Sequence, residues 1–243
     1  MGYVIFRGAG TEGSASVVGS ANVLDGVYVS KMPSHKKASM RFTEYYVKGR
    51  DGALHVDEGF ANFDLKVSLV LMKGNANKRQ LVNAWADGTG KLITSDDLTK
   101  AYKATVKEEI VWTRVSANGG FYDTAEITFN CDPCMYEAQY TSNVFTSNGN
   151  IVFYGTADAY PLIKVEGSGD TTFSVAGKSI TINSMTSGVP VYIDCENGYV
   201  YTESGATTMT GDFPVLKVGA VSYPVTLGTG ASKITITPHW RWV

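Results

Sequence analysis

The sequence predicts an all-β protein of two domains, and three observations carry that prediction. Composition is the first. The 243 residues hold 26 Gly, 14 Tyr and 10 Phe but only 7 Pro. Aromatic side chains suit a pleated, half-buried surface, and glycines close the turns between short strands. Period is the second: apolar and polar residues alternate along much of the chain, and a single stretch has helical spacing. The third is a change of texture after CDPC at 131–134, where long strands give way to a polar, turn-rich stretch and then to short, closely spaced strands. Domains over 1–135 and 136–243 follow from that change.

Taken in order, YVIFRG at 3–8 and GVYVS at 26–30 read as short strands. MRFTEYYVKGRDGALHVDE at 40–58 places Arg50, Asp51 and Gly52 between two apolar-aromatic runs, and Asp-Gly is a hairpin turn signal because glycine accepts positive φ. Phe63, Leu65, Val67, Leu69 and Leu71 alternate within 60–72 and form one buried strand face. A helix over 78–87 follows, with Asn77 as its cap, Gln80 at the third position and Gly88 just past the end. Leu81, Val82 and Trp85 make its narrow apolar stripe, and Trp85 reads as a core anchor.

Strands resume at 91–95, 101–114 and 121–130. Beyond 150 they are predicted at 151–154, 161–166, 171–175, 178–183, 189–195, 199–202, 213–218 and 233–237, with turns at Ala176-Gly177, Asn197-Gly198 and Gly228-Thr229-Gly230. Eight short strands in about a hundred residues are the signature of a β-sandwich.

Bulk properties exclude several classes. The net charge is −2, only 18% of residues are charged, and no basic stripe offers phosphate neutralisation for nucleic acid. Three cysteines, Cys131, Cys134 and Cys195, are an odd number and give no disulfide framework, which fits a protein made in a reducing cytoplasm. The N-terminus lacks a secretory or myristoylation pattern, and no apolar run approaches the length of a membrane-spanning helix.

The chemical candidates weaken one by one. Cys131-Asp-Pro-Cys134 mimics a redox pair but has no βαβ unit around it. As zinc ligands these cysteines lack a second pair, since Cys195, His35, His55 and His239 are scattered. Pro133 reads as a strand terminator at a domain hinge. No G-x-S-x-G elbow occurs, and His35 sits in a polar loop. Asp96-Asp97 and Glu108-Glu109 are adjacent, so as strand neighbours they point to opposite faces and form no glycosidase pair. Gly167-Ser168-Gly169 lacks the lysine and helix of a phosphate loop. Trp240 and Trp242 share one strand face, read as core or interface ahead of a sugar platform. No catalytic, cofactor-binding or metal-binding residue is therefore assigned.

These pieces, in this order, resemble the distal tail protein (Dit) family of long-tailed, non-contractile bacteriophages. The likeness rests on GRDG at 49–52, the helix ending in Trp85 before KLITSDD at 91–97, and ITFNCDP at 127–133. It continues through PLIKVEGSGDTTFSVAGKSITI at 161–182, VYIDCENGYVY at 191–201, FPVLKVGA at 213–220 and ITITPHWRW at 234–242. His239 stands where the family commonly has arginine, and the turn at 219–230 departs from its regular form.

The resemblance implies an N-terminal β-sandwich with one helix that closes into a hexameric ring, decorated by a C-terminal galectin-like or carbohydrate-module-like sandwich. It further implies a hub at the distal tip of a virion tail, joining the tail tube to tail-tip or receptor-binding proteins. DNA would pass through the ring channel without specific contact. No membrane and no cofactor enter this reading. A carbohydrate-binding adhesion module and, behind it, a β-sandwich hydrolase are the alternatives.

Overall fold

The computed structural model describes residues 4–8, 16–18, 26–72, 76–117 and 119–243. The chain divides into two compact units, 1–138 with Val243 and 139–242. Both are built almost wholly from antiparallel strands, with one helix among the described residues.

In the first unit, β1 (Val4–Gly8), β2 (Ser16–Val18), β3 (Val27–Lys31), β6 (Phe63–Met72), β7 (Thr89–Thr94), β8 (Asp97–Val106) and β10 (Gly120–Glu137) form one sheet. Its order is β2-β1-β7-β8-β10-β6-β3, and β9 (Thr113–Ala117) also pairs with β10. The predicted alternation in β6 is real. Leu65, Val67, Leu69 and Leu71 are buried, and the strand runs in register from Phe63↔Cys131 to Met72↔Tyr122. Each such side chain contributes about 1.5–3 kcal/mol on burial. Val4 and Phe6 from one end of the sheet share a core with Val27 and Val29 from the other, so the sheet folds over on itself.

Helix α1 (Ala76–Trp85) fills that core with Val82 and Trp85. Trp85 meets Phe6 and Phe129 edge-on at 6.1 and 6.2 Å. Leu81, expected on the same stripe, is exposed. Asn77 lies inside the first turn, one residue after Ala76, so it is not the cap; the preceding position lies outside the described residues. Asp123, buried on β10, accepts a hydrogen bond from Arg114 Nε of β9 at 3.0 Å and lies 3.7 Å from Arg79 Nε of α1, tying the helix to the sheet.

Two local expectations change. The strand predicted over 101–114 ends at Val106, and the next starts at Thr113. Lys107, Glu108 and Glu109 are three charges in succession, and a strand with one dry face would force one of them inward. Pro133 does not end a strand, because β10 continues to Glu137. The ladder with β8 slips between Cys131 and Met135, and a proline without an N–H is tolerated in such a bulge. The hairpin expected around Asp51-Gly52 forms, with a wider loop than two residues. The loop runs from Tyr45 to its partner Leu54, with Gly49 and Gly52 both at positive φ.

The second unit is a sandwich of two sheets. One contains β11 (Asn143–Phe145), β20 (Ala231–Thr237), β13 (Leu162–Gly167), β16 (Val191–Asp194), β17 (Tyr199–Thr202) and β18 (Gly205–Ala206), in that order. The other contains β12 (Gly149–Val152), β19 (Ser222–Leu227), β14 (Gly169–Val175) and β15 (Lys178–Met185). Their facing side chains, including Ile163, Val165, Ile193, Ile234 and Ile236 against Phe173, Val175, Ile180 and Val225, form one core.

The strand expected at 213–218 is absent; Leu216 makes only a single bridge to Ala159. Pro214 and Gly219 bound too short a run for more. The polar stretch at 137–150 holds β11, and the strand expected at 151–154 runs from Gly149 to Val152 as β12. Tight backbone approach explains one glycine: a Cβ on Gly167 would fall 2.4 Å from the Gly230 carbonyl oxygen.

Candidate assembly surface

Two strands stand apart from both cores. β4 (Met40–Tyr45) and β5 (Leu54–Phe60) pair only with each other, from Tyr45↔Leu54 to Met40↔Phe60. At about 3.3 Å per residue the ribbon is roughly 20 Å long. Ala61 N–H donates to Ser39 O at 2.8 Å and closes its root.

The ribbon has two unlike faces, both wet. Cross-strand partners share a face, so Phe42, Glu44, His55 and Asp57 lie on one and Thr43, Tyr45, Leu54 and Val56 on the other. On the first, the Phe42 and His55 rings stack at 4.7 Å and His55 Nε2 lies 3.5 Å from Glu44. The second is nearly all apolar, yet Tyr45 is 56% and Val56 52% exposed. Tyr46 at the tip is 77% exposed. An isolated two-stranded hairpin is marginal in water, and apolar residues exposed in one patch mark interaction surfaces.

The segment leading into the ribbon is fixed to the body. Pro33 and Ala38 are buried, and Lys36 Nζ donates to Asp64 O at 3.1 Å. His35 Nε2 hydrogen-bonds Asp96, and its Nδ1 lies 3.2 Å from the Tyr102 hydroxyl. Burial opposes ionisation of Asp96, but hydrogen bonds from Thr94, its own backbone and His35 hold the carboxyl below its ordinary range. His35, placed by sequence in a solvated loop, is thus a strut of the ribbon's base.

The chemical candidates scatter. Asp96 sits in a turn on His35, while Asp97 begins β8 and accepts from Thr99 N–H at 2.9 Å. Glu108 and Glu109 lie exposed in a loop. Cys131 and Cys134 are buried free thiols in β10, and burial pushes the Cys131 thiol up to about 12, the reverse of a reactive cysteine. Cys195 is likewise buried and pushed up to about 12. Trp240 is core, 5.0 Å edge-on from Phe153, and Trp242 Nε1–H donates to Tyr154 O at 3.1 Å. These two rings therefore form no open sugar platform.

Sequence reading found the hairpin but not its exposure. The signal was present: Arg41, Glu44, Asp57 and Glu58 fall on both faces of the two predicted strands, so neither face could be dry.

No protein-family model matches the chain, and no curated protein matches it. Among solved structures, it is similar to the Dit protein of phage SPP1, described as a paradigm of the hub adsorption apparatus in phages that infect Gram-positive bacteria. The TM-score is 0.73 at 15% identity, covering 100% of both chains. It is also similar to chains of the phage p2 baseplate in its activated conformation, with strontium and with calcium. Those matches have TM-scores of 0.53 and 0.52 at 11% identity, over 97% of each chain. The fold is that of Dit, as the sequence resemblance anticipates.

Proposed function

We propose that this chain is a non-catalytic structural hub of a phage tail tip, six copies of which close into a ring at the distal end of the virion tail. The observation that carries the reading is the full-length likeness to the SPP1 hub protein, over every residue of both chains. The ring joins the tail tube on one side to tail-tip or receptor-binding proteins on the other, and DNA passes through its channel. The protein is made in the cytoplasm of the bacterial host.

The free-standing ribbon supports a self-assembling role. Cyclic assemblies repeat one heterologous contact until it closes, and an exposed apolar element on each copy can supply one side of such a contact. The face of Tyr45, Leu54 and Val56 suits that element, reaching a neighbouring copy of the first unit. The second unit, with its own closed sandwich core, decorates the outside.

Light scattering with negative-stain imaging tests this. The full chain gives a species about six times the chain mass and ring-shaped particles. Residues 1–138 alone still assemble, while 139–243 remain monomeric. A monomeric full chain at all concentrations refutes the hub; assembly of the C-terminal fragment alone reverses the roles of the two units.

A further inference from the structure

The first unit carries a second accessible face, on the outside of its sheet. Leu65, Val67, Leu69 and Leu71 of β6 are buried in the core, so Ser68, Val70 and Met72 between them point out. Two rows stand in register across that outer face. One is Tyr28, Val70, Thr124 and Thr113; the other is Met72, Tyr122 and Val115. Beside the first row the surface dips into a cavity of about 370 Å³ lined by Ser68, Thr113, Thr124 and Glu126. Val111, exposed in the loop before β9, adds to its wall.

The lining suits an aromatic ring that ends in a hydroxyl. Ser30 and Thr124 already donate their hydroxyls to the Ser68 and Thr113 carbonyls, at 3.1 and 3.4 Å, so neither calls for a polar occupant. Glu126 differs. One of its oxygens accepts from Lys66 Nζ at 2.7 Å, and a carboxylate keeps lone pairs for a further donor. The ribbon offers the matching side chain. Tyr45 stands exposed beside Leu54 and Val56, whereas the Tyr46 hydroxyl is already donated to Glu44 at 2.6 Å. Charge agrees with this match. The two ribbon strands hold Arg41 against Glu44, Asp57 and Glu58. A second hollow of about 210 Å³, which shares Ser68 and Glu126 with the first, holds Lys31, Lys36 and Lys66 against that one glutamate. An acidic ribbon thus faces a basic rim.

We infer that this cavity receives Tyr45 from the ribbon of a second copy of the chain. The ring fills the cavity, the hydroxyl donates to Glu126, and Leu54 and Val56 lie against the adjoining row of Val70 and Met72. A heterologous contact needs two unlike surfaces on every copy; the ribbon is one and this outer face is the other. The inference rests on the ribbon-built ring proposed above and adds the surface that accepts the ribbon.

The test uses the full chain, with self-association read by sedimentation velocity and the fold checked by circular dichroism. Tyr45→Ala and Thr124→Phe, the latter filling the cavity, each weaken association about tenfold. The double variant is no weaker than the worse single one, because both changes remove the same contact. A second measurement is covalent. Tyr45→Cys chains mixed with Val111→Cys chains and mildly oxidised give a disulfide between unlike chains, while the buried Cys131, Cys134 and Cys195 stay reduced. If the parent assembles but both variants associate as it does and no such link forms, the acceptor is overturned and the ring stands. Additive losses in the double variant overturn it too, since Tyr45 and the cavity would then serve separate contacts. In a chain carrying both cysteines, a link within single chains overturns it as well, the ribbon then folding back on its own body. A parent that stays monomeric at all concentrations overturns ring and acceptor together.

Discussion

Replacing Tyr45, Leu54 and Val56 together by threonine should weaken self-association on the order of 100-fold while leaving the fold intact. Threonine keeps the strand preference of these positions, so the ribbon itself persists. The magnitude follows from exposure. Fully burying such a side chain is worth about 1.5–3 kcal/mol. In the single chain Tyr45, Leu54 and Val56 remain 56%, 41% and 52% exposed, so roughly half of that gain is still available on docking. Three side chains then offer about 3 kcal/mol per contact, and 1.4 kcal/mol is a factor of ten in affinity. Sedimentation velocity over a dilution series reads the shift, and circular dichroism checks the fold. A dissociation midpoint within about threefold of the parent would show that this face is not the contact.

Other outcomes follow from the same structure. Trp85→Ala should destabilise the first unit by about 3–5 kcal/mol in denaturant titration followed by circular dichroism, because it removes the ring packed edge-on against both Phe6 and Phe129; a loss under about 1 kcal/mol would mean the helix face is misplaced. Ala176, at φ 51 in the two-residue turn between Val175 and Lys178, should become about 0.5–1 kcal/mol more stable as Ala176→Gly. The melting temperature of the second unit measures it, and a decrease would contradict the turn assignment. Stability should also fall at alkaline pH. Cys131 and Cys195 have thiols pushed up to about 12, while in the unfolded chain they ionise near 8.5. Their contribution is therefore complete below about pH 8.5 and is lost as pH rises towards 12, on the order of 1–2 kcal/mol per thiol by pH 10. Denaturant midpoints at pH 8 and 10, compared between the parent and the Cys131→Ala and Cys195→Ala variants, read this; an equal fall in all three would assign the effect to other groups.

What was legible in the sequence was what local physics decides. The strict alternation from Phe63 to Leu71 could only be a half-buried strand, and the strand boundaries at Tyr199 and Thr202 follow from the turns that bracket them. The β19 strand was not legible, because Pro224 interrupts its pattern and a proline argues against a central strand. Its neighbour pairs Asn150 with Pro224, so tertiary pairing overrides the local signal. The strand read at 151–154 exists as Gly149–Val152, but its partner β19 was not foreseen. The assembly ribbon was half legible: the hairpin is local, but whether its apolar residues meet a core is decided by chain segments far away. The Glu166–Lys233 pair was invisible, since the two are brought together only by the register of β13 and β20.

The root of the ribbon bears on how such a chain diversifies. Ser39 and Ala61 are joined by a backbone hydrogen bond, and every residue of the two strands lies beyond that pair. Residues inserted or deleted two by two, one from each strand, change the ribbon's reach without altering the chain path through the body. The body's strands would keep their register, so the cost of such a change falls on the proposed contact with a neighbour and not on folding. Length of reach, and with it the spacing of subunits in the ring proposed above, can therefore drift under selection independently of the core that carries it.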